Sequence, residues 1–585
     1  MDQQTRHILF IVLSVGILFG SMYFMPQQPV PSTVPSASVS QKQASAPDSS
    51  KASRVSSSAG AASVKAAPQR KVLAAAVASV TVETDDYLAT FSSQGAVLTS
   101  FELKKYPNRH TKKPIELINS EPTRPKPFSI TYGPLSGLNQ ATFEMEGSSK
   151  KLSKPGEKEK LVFRFVDSQG TILEKTFGFK NGSYLIDFDV TVSQTGHGSV
   201  PASELVMEWA DTLGLEENTG TNSRVDGCHV VMLTADGVEK EMPKKSQEPR
   251  GPIPNVGWMA LANQFFVAAM VPDASAGGAA GRIVRDFNAY KAPTGDTTPT
   301  PTTGDPHPEL DLKVFNPRPL LVFSGQALRS GESFHRGGKV FIGPQDYNLL
   351  KSQNFQLERI VDFGMFGFIS VYMLALLKWF YTLGHSWGLA IVLLSIAVKL
   401  LLWFPTHNSY KNMYLLQQKT REIQPKLDAI KKKYANDKQE QQKQTMALYS
   451  QAGINPMGGC LPMLLQLPVF YALYSTLSHS IELRGASFLW LHDLTLKDPF
   501  IVLPLLMGAS MIAQQKVSGQ MSTQTAGQQK VMMWMMPVVL TFFSIQWPAG
   551  LLVYWVVTNV LSMLQQKIVN REIQNAKKKE EVVKS

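Results

Sequence analysis

The stretch Trp387–Pro405, WGLAIVLLSIAVKLLLWFP, decides how this chain is read. It is almost wholly apolar and has the length, roughly 20 residues, that a helix needs to cross a bilayer. Lys399 interrupts it, with no Asp or Glu inside the stretch to pair with it. A cation in mid-membrane costs on the order of 3 kcal/mol on insertion scales, so such a charge marks a candidate functional site. The alternative is snorkelling: about 9 Å of helix rise separates Lys399 from Pro405, and a lysine side chain can reach headgroups over that distance. Ser395 lies one turn before Lys399 on the same helix face.

The rest of the chain puts that stretch in a membrane protein. Its 585 residues exceed the ~250–300 that one hydrophobic core supports. Long apolar blocks fill the C-terminal third, while the middle is an ordinary polar mixture, as in a membrane protein with a large soluble insert. The net charge of +12 comes with lysines clustered beside apolar blocks, so it reads as positive-inside topology and not as nucleic-acid binding. Cys228 and Cys460 have no CxxC neighbour or His cluster. They read as free thiols, not as a disulfide framework or a zinc site.

Residues 8–25 follow Arg6, are long enough to span, and lack a small-residue cleavage site, so they predict an uncleaved anchor (1–25) with a cytoplasmic N-terminus. Residues 26–79, rich in Ser, Ala and Pro, predict a disordered tether. From about Val80 to residue 350, short runs alternate apolar and polar residues, as in Leu161–Val166 and Leu185–Val192. Gly, Pro, Asn and Asp punctuate them, which predicts an antiparallel β-sandwich domain. Residues 293–306 are a loop. His229, His307 and His335 stand alone, and the domain offers no catalytic constellation.

Residues 360–381 contain an apolar run, 364–381, directly before the Trp387 stretch. If both spanned, the lysine-rich segment after Pro405 would fall outside, so 360–381 predicts an amphipathic helix on the outer surface. Residues 407–455 carry nine Lys or Arg against four acids, with an apolar stripe through Leu415, Leu416, Ile423, Leu427 and Ile430. They predict a cytoplasmic helical hairpin with a basic face. Further spans are predicted at about 457–481 and 499–515. The 34 apolar residues Val531–Leu564 are too long for one span and contain the turn Gln546–Gly550, giving spans 531–546 and 550–568. A basic cytoplasmic tail, 571–585, follows. The expected fold is thus a polytopic α-helical membrane protein with six spans, both termini inside, and an inserted all-β sandwich domain. Several late spans are short, which thins the bilayer locally. Together with Lys399, Gln466, Ser478, Gln515 and Asn559, they predict a wet polar cavity in the cytoplasmic half of the membrane.

Specific motifs add a resemblance. Asn455–Phe470 (NPMGGCLPMLLQLPVF), Ile481-Glu-Leu-Arg484, Trp490-Leu-His-Asp-Leu494, Lys497-Asp-Pro499 and Trp547-Pro-Ala-Gly-Leu-Leu-Val-Tyr-Trp555, with Asn559 and Gln565-Gln566 after them, resemble the YidC membrane protein insertases. The resemblance is strong over about 360–570. Val80–Asp85, Trp258–Ala260 and Lys339–Pro344 match that family's periplasmic domain more loosely, and an N-terminal anchor with a large β domain is its Gram-negative form. It implies a helical core around a groove open to cytoplasm and lipid, and a β domain similar to the supersandwich of sugar mutarotases. It implies insertion and folding of inner-membrane proteins, alone or beside the Sec translocon, without enzymatic turnover, nucleotide, metal or other cofactor. The implied partners are nascent membrane proteins, the ribosome, the signal-recognition particle pathway and the lipid bilayer. Lys399 stands where that family usually has Arg; it keeps the charge but not the bidentate fork. Ser395 and Trp555 align with positions along the client's sliding path, Trp555 replacing a more usual Tyr.

Two other classes fit less well. A secondary transporter with Lys399 as its ion site would carry inverted repeats or paired broken helices, and the spans show neither. A membrane-tethered carbohydrate enzyme in 80–345 would need paired carboxylates or a His pair at usable spacing, and none stands out.

Overall fold

The protein is described from a computed structural model covering residues 77–109, 111–118, 125–209, 213–214, 228–242, 248–287, 315–454, 461–518 and 527–584. The predicted anchor 8–25, nearly all of the tether, the loop 293–306, His307, Cys460 and the first six residues of the Asn455–Phe470 motif lie outside these residues.

Among the described residues, the β region contains three sheets. A five-stranded sheet runs in the order Pro114–Glu116, Val97–Pro107, Tyr87–Ser92, Ser79–Glu83, Lys150–Lys151. A nine-stranded sheet runs Gly237–Glu241, His229–Thr234, Trp258–Ala262, Phe266–Pro272, Ser333–Pro344, Leu185–Gln194, Thr171–Lys180, Lys158–Val166, Glu144–Glu146. A second five-stranded sheet runs Arg250–Ile253, Ala280–Phe287, Phe315–Phe323, Leu205–Glu208, Ser129–Tyr132. The alternation seen in the sequence becomes alternation of burial: Ile186, Phe188, Val190 and Val192 point inward from one central strand, as a period of two requires. Pairing is antiparallel except where Lys150–Lys151 runs parallel to Ser79–Glu83. Phe91, Phe128, Phe163 and Phe177 cluster in the core, with the Phe91 and Phe177 rings 4.7 Å apart. A short helix, α1 (Tyr347–Ser352), is capped by Asp346 and closes the domain.

The remainder is helical: α2 (Gly367–Gly384), α3 (Trp387–Leu401), α4 (Trp403–Glu422), α5 (Gln424–Lys433), α6 (Lys438–Gln451), α7 (Leu461–His479), α8 (Val502–Val517), α9 (Gly527–Ser544) and α10 (Ala549–Lys584). Among the described residues, α2 alone is long and apolar enough to cross a membrane, and α3 with α4 qualifies as a bent pair.

Three boundaries differ from those read in the sequence. The stretch 387–405 is not one straight helix: α3 ends at Leu401 and the chain bends by 66° into α4. Pro405 explains the break, because its ring removes an N–H and crowds the carbonyl four residues back, that of Leu401. The segment read as a hairpin at 407–455 therefore begins at Trp403 and comprises three helices. The tail 571–585 is not separate: α10 runs unbroken for 36 residues to Lys584.

The turn at Gln546–Gly550 separates α9 from α10, and the tertiary structure explains its motif. The first amides of α10 need acceptors outside the helix. Ala549 N donates to Leu496 O at 2.7 Å, and Gly550 N donates to Leu494 O at 2.9 Å. A Cβ on Gly550 would sit 3.2 Å from Leu494 O, so the close approach suits glycine.

Candidate functional site

Lys399 lies in the last turn of α3 and is 6% exposed. Its Nζ donates to Ser562 Oγ on α10 at 2.8 Å. It also sits 5.4 Å from the ring centroid of Tyr410 on α4, within the range of a cation–π contact. The bend at Leu402 is what folds α4 back far enough for Tyr410 to face a lysine eleven positions earlier in the chain. Among the described residues, no carboxylate pairs with Lys399.

Helix α10 is the hub of this region. It offers polar side chains to four neighbours. Tyr554 OH accepts from Gln466 Nε2 of α7 at 2.7 Å. Asn559 Nδ2 donates to Ser510 Oγ of α8 at 2.8 Å. Ser562 accepts from Lys399 of α3. Gln565 Nε2 donates to Thr406 Oγ1 at 2.9 Å and to Trp403 O at 3.1 Å, both on α4. Farther along, Val569 and Ile573 pack on Tyr410 and Met413, and His407 lies 3.3 Å from Glu572. Polar side chains inside an apolar helix need such partners, because an unsatisfied group there is costly.

The residues singled out in the sequence divide accordingly. Lys399, Gln466 and Asn559 all belong to this network. Ser395 is buried and donates back to Ile391 O at 2.7 Å, so its hydroxyl is used within its own helix. Trp555 packs edge-on to Phe470 with centroids 4.8 Å apart and lies beside Trp547. Gln515 is half-buried near the C-terminal end of α8. Ser478 lies at the other end of α7 from Gln466, about 18 Å of helix rise away. Its carbonyl accepts from Gln264 of the β domain at 2.8 Å, which places it at the domain junction. Sequence reading passed over Ser510, Tyr554, Ser562, Thr406 and Tyr410 as site residues. Ser562 had a signal: it lies one turn after Asn559, with Gln565-Gln566 one turn further along the same stripe.

The loop between α7 and α8 is built as firmly as the helices. Asp493 accepts from Gly485 N at 2.9 Å and from Thr495 N at 2.8 Å. Lys378 of α2 pairs with Glu482 at 2.5 Å and with Asp346 of the β domain at 3.2 Å. Burial raises the Glu482 carboxyl above its ordinary range. Arg484 donates to Pro107 O at 2.9 Å and stacks 5.3 Å from the Phe266 centroid. Burial and the nearby Arg109 push the Arg484 guanidinium down to about 10.

Two family matches define the class as an inner-membrane protein with a periplasmic domain. Residues 379–578 match the family described as "60Kd inner membrane protein", and residues 79–300 match the family described as "YidC periplasmic domain". The chain is 33% identical to the membrane protein insertase YidC of Geobacter metallireducens, over 98% of this chain and 100% of that one. It is also 33% identical to that of Syntrophus aciditrophicus, over 84% and 85%. A solved structure of an active YidC insertase aligns at 16% identity over 82% of this chain and 90% of that one, with a TM-score of 0.32. The chain belongs to the YidC membrane protein insertase family, and as a member of that family it is not an enzyme.

Proposed function

We propose that this protein inserts and folds inner-membrane proteins through the polar site around Lys399, alone or together with the Sec translocon. The observation that carries this reading is the state of Lys399: a buried cation in an apolar helix, held by a neutral hydroxyl and an aromatic ring, with no carboxylate beside it among the described residues. Such a group retains its attraction for an incoming acid. A nascent client's short acidic extracellular tail is drawn to Lys399, and its apolar segment then passes into lipid past Trp555 and α10. Short spans thin the bilayer and shorten the polar tail's path. Ser395, Gln466, Gln515 and Asn559 supply polar surface along the route once their present pairings exchange; Ser478, at the domain junction, marks its outer end.

The topology that goes with this reading is six spans, counting the anchor at 8–25, with both termini in the cytoplasm and the β domain in the periplasm. Helix α2 lies along the outer surface. Leu374 and Val371 pack with the β-domain core, Lys378 pairs with Asp346, and Ser370 donates to Ala472 O of α7. These ties to the β domain at Val371, Leu374 and Lys378 support a place for α2 at the periplasmic face. The basic helices α4 to α6 receive clients from the ribosome or the signal-recognition particle.

The test replaces Lys399 with Arg, Gln and Glu in depleted cells and measures insertion of a single-span client with an acidic tail. Activity with Arg and its loss with Gln and Glu is the expected outcome. Gln performing as well as Lys would remove charge attraction from the mechanism.

A further inference from the structure

We infer that Tyr410 and Ser562 are positioning residues that hold the Lys399 ammonium in a closed resting position, and that displacement of α4 from α10 uncovers it. The inference rests on the reading of Lys399 as the group that meets acidic tails, but its test does not.

Three side chains meet here, from three helices. Lys399, Ser562 and Tyr410 are 6%, 5% and 7% exposed. Ser562 Oγ accepts a hydrogen bond from Lys399 Nζ at 2.8 Å, and the Tyr410 ring covers the ammonium at 5.4 Å. The hydroxyl and the ring come from different helices, so the cap is complete only while α4 and α10 stay docked around α3. A lone ammonium presents three donors, and here the protein occupies the approach with groups too weak to neutralise it. A carboxylate outcompetes both, since a charge-assisted hydrogen bond is roughly twice as strong as a neutral one.

The cap is also mechanically connected. Tyr410 is not on α3 but on α4, the first of the three helices after the bend. Helix α4 is held to α10 by a short seam: Gln565 on Thr406 and Trp403, His407 beside Glu572, and the Tyr410, Met413, Val569 and Ile573 cluster. The same seam that docks α4 therefore places Tyr410 over Lys399. Anything that lifts α4 removes the ring and leaves Lys399 with Ser562 alone. Lysine suits this arrangement, because a compact ammonium is satisfied by one hydroxyl and one ring face, whereas a guanidinium fork calls for paired acceptors.

The experiment measures acylation of Lys399 by a membrane-permeant amine-reactive ester in native vesicles containing the full chain, read by mass spectrometry, with Lys378 as the internal reference. Tyr410→Leu removes the ring, Tyr410→Phe keeps it, and Ser562→Ala removes the acceptor. The expected result is a roughly three- to tenfold rise in the Lys399 to Lys378 ratio for Tyr410→Leu, the size a cation–π contact supports. Ser562→Ala should show a smaller rise, and Tyr410→Phe a ratio near that of the parent. A misfolded variant would raise both lysines together, and Tyr410→Phe shows whether the ring alone restores protection. Equal ratios in all four proteins would overturn the cap. Client insertion by Lys399→Gln is scored separately, so failure of the insertion reading and failure of the cap are distinguishable.

Discussion

Arg109 Nε lies 3.0 Å from Asp493 Oδ2, joining the β domain to the loop before α8 across 384 residues of sequence. The pair is largely buried, at 15% and 6% side-chain exposure. Arg109 also donates to Thr495 Oγ1 at 2.9 Å and stacks 5.2 Å from the Phe265 centroid. Arg484 reaches the opposite way, onto Phe266 and Pro107. Two arginines, one from each side, thus clamp one Phe265-Phe266 corner. Breaking a buried pair by removing one partner costs about 3 kcal/mol or more. Arg109→Ala is expected to lower the thermal midpoint of the detergent-solubilised chain, and Asp493→Ala to lower it further because Gly485 and Thr495 also lose their acceptor. The double variant should lose less than the sum of the two; strict additivity would mean the pair is not coupled.

Asp498 explains the Lys497-Asp-Pro motif. Its Oδ1 accepts from Trp490 Nε1 and Phe500 N, each at 3.1 Å, and its Oδ2 accepts from Leu503 N at 2.6 Å, in the first turn of α8. Asp498→Ala is expected to destabilise the chain by about 2 kcal/mol, the upper range for loss of a capping carboxylate. Asp498→Asn should recover part of that, because an amide oxygen still accepts. Denaturant titration of the three proteins decides, and equal midpoints for Ala and the parent would sink the assignment.

Gly388 in α3 sits under Phe488 of the same loop. A Cβ there would fall 2.0 Å from Phe488 Cγ, well inside contact distance, so either the ring or the helix must move. Gly388→Ala is expected to cost about 1–3 kcal/mol by overpacking. Phe488→Ala opens the space, so adding Gly388→Ala to it should cost little. If Gly388→Ala is equally damaging in both backgrounds, the close approach is not the cause.

Lys175 is wholly buried in the β domain, where its Nζ donates to Phe128 O at 2.9 Å, Gly95 O at 2.7 Å and Ala96 O at 3.2 Å. Burial pushes its amine down from 10.5 to about 7. Below about 7 the folded and unfolded chains both hold the proton, and this group adds no pH dependence. Between there and the ordinary amine range only the unfolded chain holds it fully, so stability rises with pH across that window. Lys175→Met should flatten this rise in unfolding measurements taken from pH 6.5 to pH 10. It should also lower stability overall by leaving three carbonyls without a donor. A rise of the same steepness in the variant would assign it to another group.

Much of this protein was written in local pattern. Apolar length marked Trp387–Leu401 and α10, alternation marked strands such as Leu185–Gln194, and Gln546–Gly550 marked the break between the last two helices. Lys399 stood out because a charge in an apolar run is anomalous without reference to anything else in the chain. These signals depend on neighbours a few residues apart, and periodicity records such neighbours directly. What the tertiary structure alone decided are the partners: Ser562 lies 163 residues from Lys399, and Asp493 is still farther from Arg109. A serine in a helix or an aspartate in a loop has no pattern that names its partner, and the bend at Pro405 that brings Tyr410 over Lys399 sets an angle no spacing encodes. Local sequence therefore settled which segments are helix or strand and where the unusual charge sits, while packing settled what holds that charge, because a hydrogen bond or a cation–π contact depends on position in space and not on separation along the chain.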